Sequence, residues 1–370
     1  DRKPPALSMT DGSDYVPMGT PRIFLIQLLN IAGLGPVFGP ILGALYGPIA
    51  LLWVVIGCVF AGAVHDYFSG MLSVRYNGKS VPDIVGYNLG DLIKKLMRVF
   101  AVVLLILVGV VFVAGPAGLL SQLTGMHSML FVAIIFAYYF LATILPVDKI
   151  IGRVYPFFAV LLVFMAVGLL GALAFKGYTF YSNIEWTMHS PSGLPAWPLV
   201  FITIACGACS GFHATQSPLM ARCINNEKHG RKIFYGAMIA EGVIGLIWVT
   251  LGMSFYSDTA ALAAALGPKG NAALVVNNIS VELLGVFGGA LAVLGVVVLP
   301  VTSGDTAFRA ARLTIADAIG YDQRPHKNRL MIAVPLFVVG VALNFIPFGM
   351  LWRYFGFANQ ALAAIMLWAA

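Results

Sequence analysis

Charged side chains are scarce in this chain. Asp, Glu, Lys and Arg make up 10% of its 370 residues, whereas a soluble domain carries about 25%. Hydrophobic residues make up 60%, and the mean hydropathy is +0.90. These values exclude an ordinary soluble domain and predict a protein that crosses the lipid bilayer several times. The net charge of +7 does not indicate a nucleic-acid partner, because no basic helix with interleaved aromatic residues lies outside the apolar segments.

Cysteine is also rare. The four cysteines lie in or beside apolar segments: Cys58, Cys206, Cys209 and Cys223. Their number and placement give no extracellular disulfide framework. Cys206 and Cys209 have C-x-x-C spacing, but without a thioredoxin-like context packing of small residues between helices is favoured over a redox role. None of the six histidines forms an H-x-x-x-H pair, so there is no zinc motif, and we expect neither a metal nor an organic cofactor.

Ten apolar segments are long enough to cross a bilayer, which takes about 20 residues in a helix. Spans 1 to 10 are predicted at residues 21–46, 48–73, 97–121, 128–146, 152–175, 196–222, 232–256, 280–305, 329–346 and 351–370. Of the 22 Lys and Arg residues, all but Lys176, Lys269 and Arg353 fall on one side of this arrangement, here called the basic side. This asymmetry supports ten spans and predicts that the amino-terminal arm, which we interpret as a solvated segment, lies in the cytoplasm.

Glycine and proline interrupt two of the spans. Span 1 is predicted to break at Gly33–Pro40, and span 6 at Gly207–Pro218. Unwound backbone is tolerated at membrane depth only where protein buries it or where it lines a cavity. A matched pair of broken spans in the two halves of a chain is the best sequence-level indication of a secondary transporter's binding site.

The positions of the two breaks predict the fold. Ten spans divide into five and five, and because five is odd the second half enters the membrane from the opposite side. We therefore predict an all-α polytopic membrane protein with a 5+5 inverted repeat, LeuT-like, with helices 1 and 6 broken. The predicted units are an arm at residues 1–20, a first repeat at 21–190 and a second repeat at 191–370.

The broken helices carry the predicted substrate site. The N-terminus of a half-helix presents free N–H groups and a positive dipole end, which suit a carboxylate. The candidate substrate-binding residues are Gly33, Gly35, Gly39, Ser210, Gly211, His213 and Thr215. The alternative for the glycines of span 1 is that they only allow close helix packing.

Ionisable residues inside the spans are candidates for proton coupling, because burying a charge in the membrane costs at least about 2.5 kcal/mol. These residues are His65, Asp66, His213, Glu241 and Asp305. His213 could contact either substrate or protons. His65 and Asp66 could instead form a structural pair, Glu241 could bond neighbouring helices, and Asp305 could pair with Arg309 one turn later.

Thr302 and Ser303 in span 8 suggest a second coupling ion. In LeuT-like sodium symporters, hydroxyls on helix 8 and carbonyls from helix 1 hold a sodium ion. Protons are the favoured coupling ion here, and sodium is the alternative.

Short motifs throughout the chain resemble the carbon starvation protein A family. They are DGSDYVP at 11–17, GPVFGP at 35–40, GAVHDY at 62–67, SVR at 73–75, GKS at 78–80, SGFHAT at 210–215, PVTSGDTAFR at 300–309 and WRYFGFANQ at 352–360. The resemblance implies a LeuT-like carrier that imports short peptides or pyruvate across the bacterial inner membrane during nutrient limitation. Family members have further spans at both ends, so we interpret this chain as a segment of a longer protein.

From these features we expect a secondary active importer of small, carboxylate-bearing nutrients rather than an enzyme. A membrane sensor that binds peptide without moving it is the alternative from another class, although the short connections leave little room for an output domain. An intramembrane hydrolase that uses His65 and Asp66, or His213, is a third hypothesis. The residues indicate no particular oligomeric state.

Overall fold

The computed structural model describes residues 2–12, 14–144, 147–182, 195–267, 270–323 and 325–370. Within these ranges the chain is helical, apart from its connections and an isolated β-bridge between Met18 and Ile224. The predicted boundary between the two repeats, at residues 190 and 191, lies outside the described residues.

The described helices follow the predicted spans. Their bounds are Thr20–Ile31 and Gly35–Gly43 (span 1), Pro48–Arg75 (span 2), Asp91–Thr124 (span 3), Ser128–Ile144 (span 4), Val147–Phe175 (span 5), Ala196–Thr203 and Gly211–Ala221 (span 6), Glu227–Phe255 (span 7), Ala272–Ile319 (span 8), His326–Leu343 (span 9) and Phe348–Ala369 (span 10). Short helices at Pro5–Ser8, Val81–Leu89 and Thr259–Leu266 lie between or before them. Five of the described helices are long and apolar enough to cross a membrane unaided, and the bent pair of span 1 makes six.

Span 1 is broken, but over fewer residues than predicted. Half-helix 1a (Thr20–Ile31) and half-helix 1b (Gly35–Gly43) meet at an angle of 48° across Ala32–Leu34. Gly35 and Pro36 therefore begin a helix instead of interrupting one. Proline is well tolerated in a first helical turn, because the N–H it lacks would have no partner within the helix.

Span 6 is broken earlier than predicted. Half-helix 6a (Ala196–Thr203) and half-helix 6b (Gly211–Ala221) flank the unwound segment Ile204–Ser210, which we call the span-6 break. Gly207 lies there at φ +86°, a backbone conformation that favours glycine. The helix resumes at Gly211, so His213 and Thr215 lie on half-helix 6b. The prediction that they lie within unwound chain was wrong.

The span-6 break is buried against half-helix 1b and span 2. A Cβ atom added to Gly35 would lie 2.0 Å from the Cβ of Cys206, and one added to Gly62 would lie 2.1 Å from the carbonyl oxygen of Ala208. Span 2 therefore meets the backbone of the break at Gly62, and half-helix 1b meets the Cys206 side chain at Gly35, with no room for a side chain on either glycine. The protein itself therefore covers the unwound chain, as the membrane interior requires.

Span 2 changes its helical winding beside this contact. Residues Trp53–Gly62 are π-helical, and α-helix resumes at Ala63–Arg75. His65 and Asp66 lie in the first turn after the change. A π-helical stretch rotates the residues that follow it around the helix axis, and such stretches are frequent at functional sites.

The amino-terminal arm is anchored to the basic side, although the sequence suggested a solvated segment. The Tyr15 hydroxyl donates to the carbonyl oxygen of Asn77 at 3.0 Å, and the Arg222 guanidinium lies 5.3 Å from the centre of the Tyr15 ring. Arg222 Nε donates to the carbonyl oxygen of Gly78 at 2.9 Å. The backbone N–H of Met18 donates to the carbonyl oxygen of Cys223 at 3.1 Å. The arm therefore covers the C-terminal end of half-helix 6b.

We expect Tyr15→Ala to expose Cys223. Burial raises the pKa of the Cys223 thiol to about 12, and the thiolate is the form that reacts with maleimides. Cys223 Sγ lies 4.0 Å from the carbonyl oxygen of Asp14 in the arm. Loss of the Tyr15 contacts that hold the arm should therefore admit water, lower the pKa of the thiol and increase the labelling rate of Cys223 near neutral pH by about tenfold or more. Mass spectrometry of the Cys223 peptide after timed maleimide labelling measures this rate.

Tyr354→Ala is the matched control, because the Tyr354 ring is 62% exposed on span 10. It should leave the labelling rate of Cys223 unchanged. Equal rates in Tyr15→Ala and in the unmodified protein would show that the arm does not cover this thiol.

Candidate functional site

His213 lies between two carboxylates from neighbouring spans. Its Nδ1 atom is 3.0 Å from Asp66 Oδ2 on span 2, and its Nε2 atom is 3.2 Å from Glu241 Oε2 on span 7. All three side chains are fully buried. Sequence spacing gave no sign of this group, because its members are far apart in the chain. Three of the five residues predicted as coupling candidates are thus in contact, and a fourth, His65, joins them through Asp66.

His65 extends the group on span 2. Its Nδ1 atom lies 2.8 Å from Asp66 Oδ1, so the carboxylate of Asp66 faces one imidazole with each of its oxygens. If both carboxylates are ionised and one imidazole is protonated, the four side chains carry one net negative charge, and a second proton neutralises them. Because uncompensated charge is costly at this depth, the group is suited to hold an exchangeable proton.

Hydroxyl groups hold span 2 against half-helix 6b at this level. Ser69 Oγ lies 3.1 Å from Ser217 Oγ. Each hydroxyl is also within hydrogen-bond distance of a carbonyl in its own helix, Asp66 for Ser69 and His213 for Ser217. The backbones that carry Asp66 and His213 are therefore fixed relative to each other.

Glu241 connects the charged group to the span-6 break. Its Oε1 atom accepts a hydrogen bond from the backbone N–H of Gly207 at 3.1 Å, while Oε2 faces His213. The same carboxylate thus satisfies unwound backbone and contacts a titratable ring. A change in the protonation of His213 therefore acts on a residue that holds the break in place.

The N-terminus of half-helix 6b is occupied by a side chain that sequence reasoning missed. Asn359 Oδ1, from span 10, accepts from the backbone N–H of Phe212 at 2.6 Å and from the Ser210 hydroxyl at 3.0 Å. These are donors that we expected to bind a substrate carboxylate. Asn359 entered the sequence analysis only as part of a family motif, although a buried amide in an apolar span is itself a signal of function.

The other predicted substrate residues are packed against protein. A Cβ on Gly33 would lie 2.2 Å from the Phe112 ring, and one on Gly39 would lie 2.9 Å from the Thr203 carbonyl oxygen. Gly211 packs in the same way on the backbone of Asn359. Thr215 Oγ1 donates to the carbonyl oxygen of Phe212 at 2.6 Å. Close packing, the alternative given for the span-1 glycines, therefore describes Gly33 and Gly39 in this conformation.

The candidate sodium residues form a separate group. Thr302 Oγ1 and Ser303 Oγ lie 3.0 Å and 2.9 Å from the carbonyl oxygen of Leu29, in half-helix 1a. Two hydroxyls of span 8 and a carbonyl of span 1 therefore meet, in the combination that the sequence suggested. Asp305 accepts a hydrogen bond from the Tyr138 hydroxyl of span 4 at 2.7 Å.

One group of side chains in the described residues has the donor types of a transition-metal site. It consists of Cys206, His213 and Glu241, each buried, with one donor atom of each within 4.8 Å of the other two. The sequence gave no metal motif because these donors come from the span-6 break, half-helix 6b and span 7.

Relatives with functional names are transporters. The peptide transporter CstA of Bacillus subtilis is 27% identical over 473 residues, covering 99% of this chain and 79% of its own length. The pyruvate/proton symporter BtsT of Escherichia coli is 26% identical over 316 residues, covering 66% of this chain and 43% of its own length, so this chain spans less than half of that relative. An uncharacterized membrane protein of Haemophilus influenzae is 49% identical over 318 residues, covering 72% of this chain and 86% of the relative.

Solved structures confirm the predicted LeuT-like fold. MhsT in complex with L-phenylalanine aligns with a TM-score of 0.67 over 93% of this chain and 87% of its own, at 13% identity. A mutant of the Eremococcus coleocola manganese transporter aligns with a TM-score of 0.66 over 97% and 81%, also at 13% identity. Likeness at this identity shows the fold alone.

The family is shown by the sequence. The family model described as carbon starvation protein CstA matches residues 1–129 and 117–282. This match covers most of the chain and agrees with the resemblance drawn from its short motifs. The chain belongs to the carbon starvation protein CstA family.

Proposed function

We propose that this protein is a proton-coupled importer of short peptides or pyruvate in the bacterial inner membrane, with its basic side in the cytoplasm. The observation that carries the proposal is the buried His213 ring between Asp66 and Glu241. The names of the CstA and BtsT relatives support the substrate class, and that of BtsT supports proton coupling. The units proposed for the transport cycle are the two repeats at 21–190 and 191–370.

Proton binding would act on the span-6 break through Glu241. A protonated His213 can donate to both Asp66 and Glu241, whereas the neutral ring can donate to only one of them. Loss of the proton therefore removes one charge-assisted hydrogen bond and leaves a buried carboxylate less well compensated. Because Glu241 also accepts from the Gly207 amide, this change destabilises the closed arrangement of the break.

Substrate would bind where Asn359 now lies. A carboxylate oxygen accepts hydrogen bonds as the Asn359 Oδ1 atom does, and its charge strengthens bonds to the Phe212 amide and the Ser210 hydroxyl. Displacement of Asn359 by substrate would free span 10 from the N-terminus of half-helix 6b. Rocking of one group of helices against the other would then expose the site alternately to the two sides.

Sodium is the alternative coupling ion, and the observation that favours it is a cluster of oxygen atoms around the Leu29 carbonyl. Thr302 and Ser303 both reach the carbonyl oxygen of that residue, and hydroxyl and carbonyl oxygens suit a hard cation. Sodium coupling and proton coupling predict different responses to imposed gradients, so one experiment separates them.

We expect His213→Gln to decrease proton-driven accumulation while exchange of substrate persists. Loss of one charge-assisted hydrogen bond costs about 1.5–3 kcal/mol, which corresponds to a decrease in proton-driven uptake of about 10–100-fold. Accumulation is measured as the uptake of external labelled pyruvate or labelled dipeptide into proteoliposomes with an imposed pH gradient. Counterflow without a gradient measures exchange.

His127→Gln is the matched control, because His127 is exposed between spans 3 and 4. It should accumulate substrate normally. Unaltered substrate affinity and pH dependence in His213→Gln would show that His213 is not part of the site.

The double variant Thr302→Val with Ser303→Ala tests the coupling ion. With proton coupling, uptake driven by a pH gradient should stay within about threefold of the unmodified protein, because neither hydroxyl contacts the His213 group and distant, independent sites have additive effects. Uptake that needs a sodium gradient and is lost in the double variant would show that sodium, and not the proton, is the coupling ion.

We expect Asn359→Asp to weaken substrate binding by about tenfold or more. The new carboxylate would accept from the same amide and hydroxyl and would repel the carboxylate of the substrate, and like charges in a buried site are costly. Competition binding with unlabelled pyruvate and dipeptides on purified protein gives the affinity. Asn88→Asp, on the short helix Val81–Leu89, is the control and should bind as the unmodified protein does. Equal affinity in Asn359→Asp would place the substrate carboxylate elsewhere.

A further inference from the structure

Three donor atoms of different chemistry meet beside the span-6 break. Cys206 contributes a sulfur from the break itself, His213 a ring nitrogen from half-helix 6b, and Glu241 a carboxylate oxygen from span 7. Cys206 is 1% exposed and the other two are fully buried. Thiolate, imidazole and carboxylate together are the ligands of zinc-like divalent cations, while Mg²⁺ and Ca²⁺ prefer oxygen alone.

The spacing between His213 and Glu241 is that of two ligands of one metal ion. His213 Nε2 and Glu241 Oε2 lie 3.2 Å apart, yet neither atom takes part in a hydrogen bond within the described residues. In a tetrahedral zinc site with bonds of about 2.0–2.1 Å, neighbouring nitrogen and oxygen ligands are about 3.4 Å apart. When His213 is neutral and carries its proton on Nδ1, the lone pairs of these two buried atoms are available at the distance that a shared cation requires.

Each of the three donors is oriented by a second contact. His213 Nδ1 faces Asp66 Oδ2 at 3.0 Å, and Glu241 Oε1 accepts from the Gly207 amide at 3.1 Å. The Asn359 amide donates to Cys206 Sγ at 3.5 Å. A histidine that ligates a metal through one nitrogen typically donates from the other to a carboxylate, as Asp66 would accept here.

We propose that Cys206, His213 and Glu241 form a binding site for a divalent transition cation of the zinc class. Cys206 binds as the thiolate, so its thiol gives up a proton when the metal binds. The bound cation would join the span-6 break to span 7 and occupy the nitrogen of His213 that faces Glu241. It would therefore inhibit transport by holding the break in place.

The inference goes beyond the proposed function and depends on it at one point. Because the donors are buried in this conformation, the cation enters when the transport cycle opens the break to one side. Binding itself can be measured on purified protein in detergent without any gradient or substrate, so it does not depend on which ion or nutrient the carrier uses.

Cobalt titration tests the site directly. The reduced protein, purified in detergent with its affinity tag removed, is titrated with Co²⁺ and followed by absorption spectroscopy. We expect a thiolate-to-cobalt charge-transfer band with the intense visible bands of four-coordinate cobalt, and we expect Zn²⁺ to displace both. Cys206→Ser should lose the charge-transfer band, while Cys209→Ser, three residues further along the same break, should keep it.

Glu241→Gln provides a second test that does not alter the thiol. It should weaken Co²⁺ binding by about tenfold or more, while Glu282→Gln, at the start of span 8, should not change it. A charge-transfer band that is missing in the unmodified protein, or that survives in Cys206→Ser, overturns the proposal. If Cys206→Ser does not fold, equal Co²⁺ affinity in Glu241→Gln and the unmodified protein overturns it as well.

The transport assays separate this proposal from the proposed function. Cobalt binding at Cys206 in a protein that shows no gradient-driven uptake would support the metal site and contradict the importer. Proton-driven uptake that is insensitive to Zn²⁺, in a protein without the charge-transfer band, would support the importer and contradict the metal site.

Discussion

The rest of the structure depends on how the unwound backbone of the span-6 break is satisfied without water. Side chains from three other spans contribute hydrogen bonds to it or to its ends. Trp53 of span 2 donates to the Ile204 carbonyl at 2.8 Å. Glu241 of span 7 accepts from the Gly207 amide, and Gln360 of span 10 donates to the Cys209 carbonyl at 3.1 Å. Since an unpaired backbone group costs several kcal/mol in the membrane interior, these contacts hold the spans together around the break.

The same contacts place chemistry beside the break. A glutamate that only satisfied an amide could be replaced by a neutral acceptor, but the second oxygen of Glu241 faces His213, and His213 faces Asp66. Glu241 therefore both accepts the hydrogen bond of an unwound backbone amide and compensates the charge of a protonated His213. In a bundle held by packing alone, protonation would have no direct route to the backbone. In the proposed transport cycle it reaches the break through Glu241 alone.

Hydropathy predicted the spans well, because an apolar run of the right length has few other uses. The breaks were predicted in the right spans but not at the right residues. Gly35, Gly39 and Pro36 look like helix breakers in sequence, yet they serve close packing and the start of a helix. Their role depends on the neighbour across the contact, which a single sequence does not contain.

The ionisable residues of the candidate site could be predicted from the sequence. Asp66, His213 and Glu241 stand out because ionisable residues in spans are rare, although their contact with one another is a property of the tertiary fold. Cys206 was interpreted as a small packing residue because a neutral thiol carries no such cost, and Asn359 was noted only within a family motif. Their importance follows only from the atoms they touch, an amide and a hydroxyl for Asn359 and two potential ligands for Cys206.

The contact between Gly35 and Cys206 restricts how the two halves of the molecule can diverge. The hydrogen on Gly35 faces the Cβ of Cys206 so closely that an alanine at position 35 would occupy the space of the cysteine. A larger residue on either side of this contact therefore requires a smaller one, or a shifted backbone, on the other. The two positions are 171 residues apart in the chain. We expect a substitution at one of them to be accompanied by a substitution at the other.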